Sequence, residues 1–478
     1  MERYVQGTDK YQMTFQPMCL DDMVSQDNPV RAIEAIVERM DIPVLGFMYA
    51  TTKETGRKPY NPVDMFKLYA YGYFNGIRSS RKLERECGRN IELMWLMGGM
   101  RPHYKTIANF RRENKSAIAK AFRRFSLICD ELGLVGKEMV AIDGSKFRAN
   151  NGRSAWYNPK KAARQLAYYR GAAEKYMQLL DSCDQAEADD SGKREKKDEY
   201  REKLEHILSR IGEFELIEKQ VMEEGEASLT DPDSRLMKMN NGGCGVCHNV
   251  QIAVDSKHHL VVAVDVVNDP GDKQQLANMA SLSKQELSVD ELIVVADAGY
   301  YTASEFAICM DNGITPLVSK PVHRKSAVSD LYSKARFHYD EKQDAYICPQ
   351  GQILYSRVRR DTSKTPGIRY NNPAACLGCG VRLQCTTAKY RNIYDRPFQR
   401  FADKVDLNTN ANISLYKKRQ ELVEHPFGTV KKGWGFGQFL TRGSDNVRTE
   451  SLLHFFAYNL RRVINLLGTK QLSKLAPN

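Results

Sequence analysis

The sequence predicts an α/β protein with a helical front and two inserted segments. Two apolar runs of one design, Met139 to Gly144 and Leu292 to Gly299, each carry an aspartate followed within two residues by glycine. Runs of this length that end in turn residues read as buried strands. Residues 28–134 instead carry apolar side chains at helical spacing, and residues 326–405 fit neither pattern, holding four cysteines and a basic excess. At about 100–200 residues per domain, 478 residues suit two to four domains. Hydrophobic residues at 42% and charged residues at 27% exclude wholesale disorder. No apolar run approaches the ~20 residues of a membrane span. The opening MERYVQGTDKYQ lacks a signal-peptide pattern, so an intracellular protein is expected. With 71 Lys and Arg against 59 Asp and Glu, the net charge is +12, which suits a polyanionic partner. Eleven cysteines without an export signal argue against a disulfide framework and for testing clustered thiols as metal ligands.

The helical front divides at its punctuation. Pro29 precedes Ile33, Ile36, Val37 and Met40; Pro62 precedes Met65, Leu68, Tyr69 and Phe74. A further stretch runs from Ser79 through Leu83 to Ile91, Leu93, Trp95 and Leu96. Thr106 is the expected N-cap of one helix carrying Ile107, Phe110, Ile118, Phe122, Phe125 and Ile128. Basic turns (Arg78, Arg81, Lys82; Lys105, Arg111, Arg112, Lys115) suit a DNA-binding module of helix-turn-helix type, and equally a bundle with solvated cations.

After the first strand, residues 158–225 return to long charged helix. KREKKDEYREKLE, from Lys193 to Glu205, sets opposite charges three or four apart and reads as a solvated face. Leu204, Ile207, Leu208, Ile211 and Phe214 form its apolar stripe. A hairpin follows, with strands from Asn249 to Asp255 and from Leu260 to Val266. A helix (273–285), the second aspartate-ended strand, a helix (303–310) and a strand (315–319) complete the α/β pattern. Helices return at 414–423 and 449–467, the latter with Leu452, Leu453, Phe456, Leu460, Val463 and Leu467 as a core stripe.

Ligands of open α/β sheets collect at the carboxyl ends of strands, where Asp143 and Asp297 are expected. Two carboxylates there repel unless a cation lies between them, and Mg²⁺ prefers such oxygens. Two ions about 3.5–4 Å apart can stabilise the attacking and leaving oxygens of a phosphoryl displacement. A third acid would complete the set. Ser414–Lys432, SLYKKRQELVEHPFGTVKK, supplies Glu424, together with Tyr416, Arg419 and Lys431.

Here the chain resembles the DDE-type transposases of bacterial insertion sequences, of the branch with a Tyr-Arg-Glu-Lys signature. AIDGSKFRAN, NVQIAVDSKHHLVVAVDVVND, VVADAGYY and VEHPFGTVKK carry the likeness in order, with PVDMFKLYAYGYFNGIRSSRKLERE and HYKTIANFRREN in the helical front. The resemblance spans residues 25–470. It implies a ribonuclease-H-like catalytic core, with Asp143, Asp297 and Glu424 holding Mg²⁺ or Mn²⁺. It further implies cleavage at each element end, attack of the freed 3′-hydroxyl on target DNA, and at least a dimer when active. The partners would be double-stranded terminal repeats and target DNA, in the bacterial cytoplasm at the nucleoid. Tyr416, Arg419 and Lys431 would meet phosphates near the cut, and Lys105, Arg111 and Arg112 would bind DNA from the helical domain. The implied division is 1–135 for that domain, 136–157 and 236–325 for the core, 158–235 for an inserted helical hairpin, 326–405 for a basic Cys-rich insertion and 406–478 for the last core helices. An inactive DNA-binding relic and a plain metal-dependent nuclease are the alternatives.

One spacing departs from the family pattern. Four residues, not three, separate Arg419 from Glu424, placing them about 140° apart on a straight helix. Either the helix bulges by one residue, or Arg419's role does not transfer. Pro426 is expected to kink or end the helix.

Cys348-Pro-Gln-Gly and Cys376-x2-Cys379-x5-Cys385 suit a structural zinc site, with reduced buried thiols as the alternative. From Arg357 to Arg400 ten Lys or Arg stand against Asp361 and Asp395. Cys244, Cys247 and His248 are a weaker ligand set, and Asp231, Asp233, Asp255 and Asp265 are expected to cap turns or point to solvent.

Overall fold

The computed structural model describes residues 19–50, 58–185, 191–239, 242–321, 332–358 and 367–475. Arg359, Arg360 and Lys364 of the basic excess lie outside them. Asparagine and proline start the first two long helices as expected. In α1 (Pro29–Arg39) the Asn28 side chain accepts from Val30 N at 3.0 Å; in α2 (Pro62–Phe74) Asn61 does the same for Val63 N at 2.9 Å. Helix α2 is buried on nearly every face, which its all-round apolar sequence permits. Then come α3 (Ser80–Glu86) and α4 (Ile91–Leu96).

The single helix expected from Thr106 is two, α5 (Tyr104–Glu113) and α6 (Lys115–Glu131), and its cap is His103. Asn114 causes the break. Its side chain accepts from Met48 N at 2.6 Å and donates to Phe110 O at 2.8 Å, so it is tied to a neighbouring loop.

The main sheet holds six strands: β1 (Met139–Arg148), β4 (Arg235–Lys238), β5 (Cys244–Asp255), β6 (Val261–Val267), β7 (Leu292–Ala296) and β8 (Ile314–Val318). β1 runs antiparallel to β5 and parallel to β7, and β7 runs parallel to β8. β4 and β6 pair the two halves of the other edge of β5. Helices α9 (Leu276–Leu287) and α10 (Ala303–Asp311) connect β6, β7 and β8. The short ladder of β2 (Trp156–Tyr157) with β3 (Ala227–Ser228) closes the base of the expected hairpin, α7 (Pro159–Gln185) and α8 (Ser191–Glu224). Among the described residues the hairpin's core lies at that base, in Tyr157, Ala162, Leu166, Phe214, Ile217, Val221 and Ala227. Leu208 of the expected stripe is exposed. The charge run forms local ion pairs such as Lys203–Glu199, as a solvated face would.

The Cys-rich segment is an antiparallel meander of five strands: β9 (His338–Asp340), β10 (Ala345–Ile347), β11 (Ile353–Val358), β12 (Ile368–Asn371) and β13 (Asn392–Asp395). It carries two short helices, α11 (Pro373–Leu377) and α12 (Arg382–Cys385). Helix α13 (Gln399–Ala411), not foreseen from sequence, leads into α14 (Ile413–Phe427). Pro426 does not end α14. The buried face of Leu422, Val423, Pro426 and Phe427 holds the helix together, and it passes into a π-helical turn, Gly428–Gly433. Helices α15 (Ser444–Leu467) and α16 (Thr469–Leu472) follow. Among the described residues no helix is long and apolar enough to cross a membrane.

The helical front and the sheet share one hydrophobic core, with Ile33, Tyr69 and Phe125 in the same cluster as Val140, Val254, Val294 and Phe456. Helix α15 lies between them. Its fully buried Glu450 pairs with Arg78 at 3.2 Å and accepts from Leu440 N and Thr441 N at 3.1 and 3.0 Å.

One turn on from Glu450, buried His454 packs among Tyr73, Phe436 and Phe439, and neither ring nitrogen has a hydrogen-bond partner among the described residues. Burial first, then Arg78 and Arg111, hold its pKa well below 6.5, although the Glu450 carboxylate is 3.9 Å away. A histidine kept neutral by the fold contributes fully above its unfolded pKa and loses that contribution as pH falls below it. The melting temperature should therefore fall between about pH 6.5 and 5, and His454→Phe should flatten that slope. Equal slopes in the two proteins would refute the assignment.

Candidate active site

Strand register brings the two aspartates together. β1 and β7 pair Val140 with Val294 and Ala141 with Val295. Asp143 and Asp297 each lie two residues further along, on one face of neighbouring strands; β1 does not end at Asp143 as expected but runs on to Arg148 because it keeps pairing with β5, whereas Asp297 directly follows the last residue of β7. Asp297 caps the turn Ala298–Tyr300, its Oδ1 accepting from Gly299 N at 2.8 Å. Asp143 accepts from Gly144 N at 2.9 Å. Burial first, then the charge of Asp297, push the Asp143 carboxyl up to about 7; Arg419 and the Gly144 amide oppose this, and Asp272 adds a smaller push.

The charge of Arg419 thus acts on Asp143 despite the altered spacing, and α14 packs over β1, β5 and β7. Glu424 is exposed, accepting from Gln420 Nε2 at 2.8 Å, and is not among the main charges acting on Asp143. The irregular turn comes after Glu424, at Gly428–Gly433, rather than between it and Arg419. Among the described residues no three His, Cys, Asp or Glu side chains stand close enough together to hold a metal ion.

Lys431 reaches β1, donating to Ser145 Oγ at 2.9 Å and to Lys146 O at 2.8 Å. Tyr416 donates to Ser319 Oγ at 2.7 Å, just beyond β8. Lys105 and Arg112 are exposed. Arg111 is turned inward, donating to Tyr73 OH at 3.0 Å with its guanidinium by the Tyr69 ring, so a DNA contact through Arg111 does not fit this fold. The four cysteines 348, 376, 379 and 385 lie in the β9–β13 meander and its short helices.

Sequence reading missed the polar layer behind Asp143. Asp272 accepts from Asn249 Nδ2 and Gln251 Nε2, each at 2.8 Å, and pairs with Lys146 at 3.3 Å. Gln251 in turn accepts from the buried Tyr300 hydroxyl. The available signal was Asn249 and Gln251, amides on an otherwise apolar strand; register sets them opposite Lys146 and Gly144. Gly144 is required by this packing, because a Cβ there would lie 2.3 Å from Gln251 Nε2 and 2.7 Å from Asp272 Oδ1.

Of the other acids, Asp231, Asp233 and Asp255 accept from loop and turn amides, whereas Asp265 lies within strand β6 and caps no turn. Asp255 accepts from Gly136, Lys137 and Lys257 amides. Asp231 and Asp233 hold Gly443 N and Ser444 N at the start of α15, and Asp265 accepts from Val266 N. Cys244 and Cys247, three apart on β5, point to opposite faces, and His248 is buried against Asp231 at 2.8 Å, so these three do not form a ligand set.

Two family profiles match the chain: a transposase domain (DUF772) over residues 18–113 and a transposase DDE domain over residues 347–464. The second includes Glu424; neither reaches Asp143 or Asp297. No curated protein matches the chain. A cryo-EM structure of the piggyBac transposase synaptic complex with hairpin DNA is 8% identical, over 95% of this chain and 86% of that one, at a TM-score of 0.26. A likeness that slight carries no argument.

Asp297→Asn should lower the pKa of Asp143 from about 7, but not to the ordinary carboxylate range, because burial is the larger cause. A carboxyl-carbon NMR titration of the metal-free protein measures this. An unmoved Asp143 would mean that the two acids are not coupled.

Proposed function

Because the chain belongs to the DDE transposases of insertion sequences, we propose that it cuts DNA at the ends of a mobile element and joins those ends to new DNA. The observation that carries this reading is Asp143 beside Asp297, where the parallel pairing of β1 and β7 ends, under the charge of Arg419. The strand arrangement is compatible with a ribonuclease-H-like core, and residues 236–325 with 136–157 would form it. Asp143 and Asp297 suit a hard divalent cation chemically: they are adjacent acids, and burial first, then the charge of Asp297, raises the Asp143 carboxyl to about 7. Glu424 is the proposed third ligand on the strength of its motif.

When bound, Mg²⁺ or Mn²⁺ would supply charge neutralisation and an activated water. Hydrolysis adds the water oxygen to phosphorus and breaks the P–O3′ bond, and the leaving oxygen takes a proton to become a 3′-hydroxyl. In joining, that hydroxyl attacks a target phosphodiester, forming one P–O bond as another breaks. Arg419 would steady the phosphate near the aspartates. Lys105 and Arg112, exposed on α5, would hold flanking duplex. Two ends must meet for joining, so the active form would be at least a dimer.

The test is nicking and strand transfer on DNA carrying the inverted ends that flank the coding region. Asp143→Ala and Asp297→Ala should abolish cleavage in Mg²⁺ or Mn²⁺ while leaving end binding nearly intact, and Glu424→Gln should behave alike. Gly144→Ala, which disturbs only the supporting layer, should reduce cleavage by about 10–100-fold. Unchanged cutting by either aspartate variant rejects the site. Cutting without transfer products identifies a nuclease.

A further inference from the structure

The β9–β13 meander has a small core of its own. Its cluster contains Phe337, Tyr346, Leu354, Tyr370 and Ile393, with Tyr339, Cys348 and Cys385 packed against it. A sheet with so few buried side chains gains little from burial, and domains of this kind are commonly held by disulfides or metal. No cysteine of the chain is disulfide-bonded.

Four thiols gather beside that core. Cys348, Cys376, Cys379 and Cys385 line one cavity of about 30 Å³, together with Phe337, Leu354, Arg382 and Arg391. That volume exceeds the roughly 10–15 Å³ needed for one water-sized occupant. Cys348 sits in a tight turn after β10. Gly351 N donates to Cys348 O at 2.8 Å with φ at +75°, and Gln352 N donates to the Cys348 sulfur at 3.3 Å. A backbone N–H aimed at sulfur is the kind of support a thiolate needs when it binds metal. On the other side, Cys379 N donates to Cys376 O at 3.3 Å, and the Cys385 carbonyl accepts from Arg391 at 3.2 Å.

We propose that Cys348, Cys376, Cys379 and Cys385 form a structural zinc site that staples this meander. The donor chemistry selects the metal. The cavity lining has four sulfurs and no carboxylate or imidazole, a set that suits Zn²⁺ and not Mg²⁺. Four thiolates around Zn²⁺ leave a surplus negative charge, and Arg382 and Arg391 stand at the cavity to offset it. The sulfurs ring the cavity without meeting at one point, since no three such side chains among the described residues lie at metal-holding distance. Closing the ring to Zn–S contacts of about 2.3 Å involves a turn and two short helices, so the strand ladder can stay as it is. A closed four-sulfur site has no open position for chemistry, so this metal is separate from the proposed cutting reaction and stands even if that reading fails.

The test is elemental analysis of the full-length protein, expressed with zinc and purified without chelator. About one zinc per chain is expected. The double variant Cys376→Ser, Cys379→Ser should lose it, while Cys244→Ser should keep it. In case the double variant does not fold, thiol titration of the native wild-type chain gives a second reading: about four thiols should become reactive only when a strong chelator is added. Absence of zinc in the wild type, zinc retained by the double variant, or chelator-insensitive thiols would each overturn the proposal.

Discussion

The parallel register between β1 and β7 is the constraint on which the rest of the site depends. It places two acids on one face where that pairing ends, and like charges so close raise the free energy of the ionised pair. The surroundings answer in three ways. Backbone amides of Gly144 and Gly299 donate to the carboxylates. Arg419 brings an opposing charge from α14. Behind them, Lys146, Asn249 and Gln251 neutralise and fix Asp272, so that its charge is held by hydrogen bonds. Gly144 is the hinge of this arrangement, since a side chain there would strike the amide and the acid together. Natural sequences tolerate such local conflict where a ligand resolves it.

The helical front is joined to this site through buried contacts. Arg78 pairs with Glu450 and also donates to Gln438 O at 2.8 Å. The same loop pairs with the last residue of β1: Arg148 N donates to Gly437 O and Phe439 N to Arg148 O, each at 2.9 Å. A carboxylate fully buried on α15 therefore holds together the first helices, the 437–441 loop and the strand that carries Asp143. Removing one partner of such a pair leaves a buried charge unmatched, which is why it ties the regions firmly. The helical front is thus coupled to the aspartates through packed core.

Much of this was legible in the chain itself. Asn28 and Asn61 before proline mark helix starts, and the two apolar runs ending in aspartate are strands of one sheet. The capping roles of Asp231, Asp233 and Asp255 were also readable, whereas Asp265 lies within a strand. What was not legible depends on tertiary partners. Asn114 breaks a helix because Met48 N, 66 residues away, needs an acceptor. Asp272 matters because register sets Gln251 and Asn249 beside it, which no local pattern states. Arg111 looks like its exposed neighbour Arg112, yet it turns into the core toward Tyr73. The five strands of the meander are short and interrupted by turns, so periodicity had little length on which to act.

The contrast between the aspartates and Glu424 shows where spacing arguments hold. A side chain on a strand is fixed by a ladder: Asp143 and Asp297 share a face because hydrogen-bonded pairs two residues earlier set their phase. A side chain on a helix is fixed by counting at about 100° per residue, and one irregular turn undoes the count. Six residues between Glu424 and Lys431 would put both on one face of a regular helix. The π-helical turn at Gly428–Gly433 intervenes, and Lys431 reaches Ser145 while Glu424 stays exposed beside Gln420. The same geometry lets Arg419 act on Asp143 although its distance from Glu424 along the chain differs from the family pattern. Arg419 keeps its place because it shares a helix face with the buried Leu422, Val423 and Pro426, which pack against the sheet. Packing sets the phase of α14 here, and the motif's spacing follows from that packing.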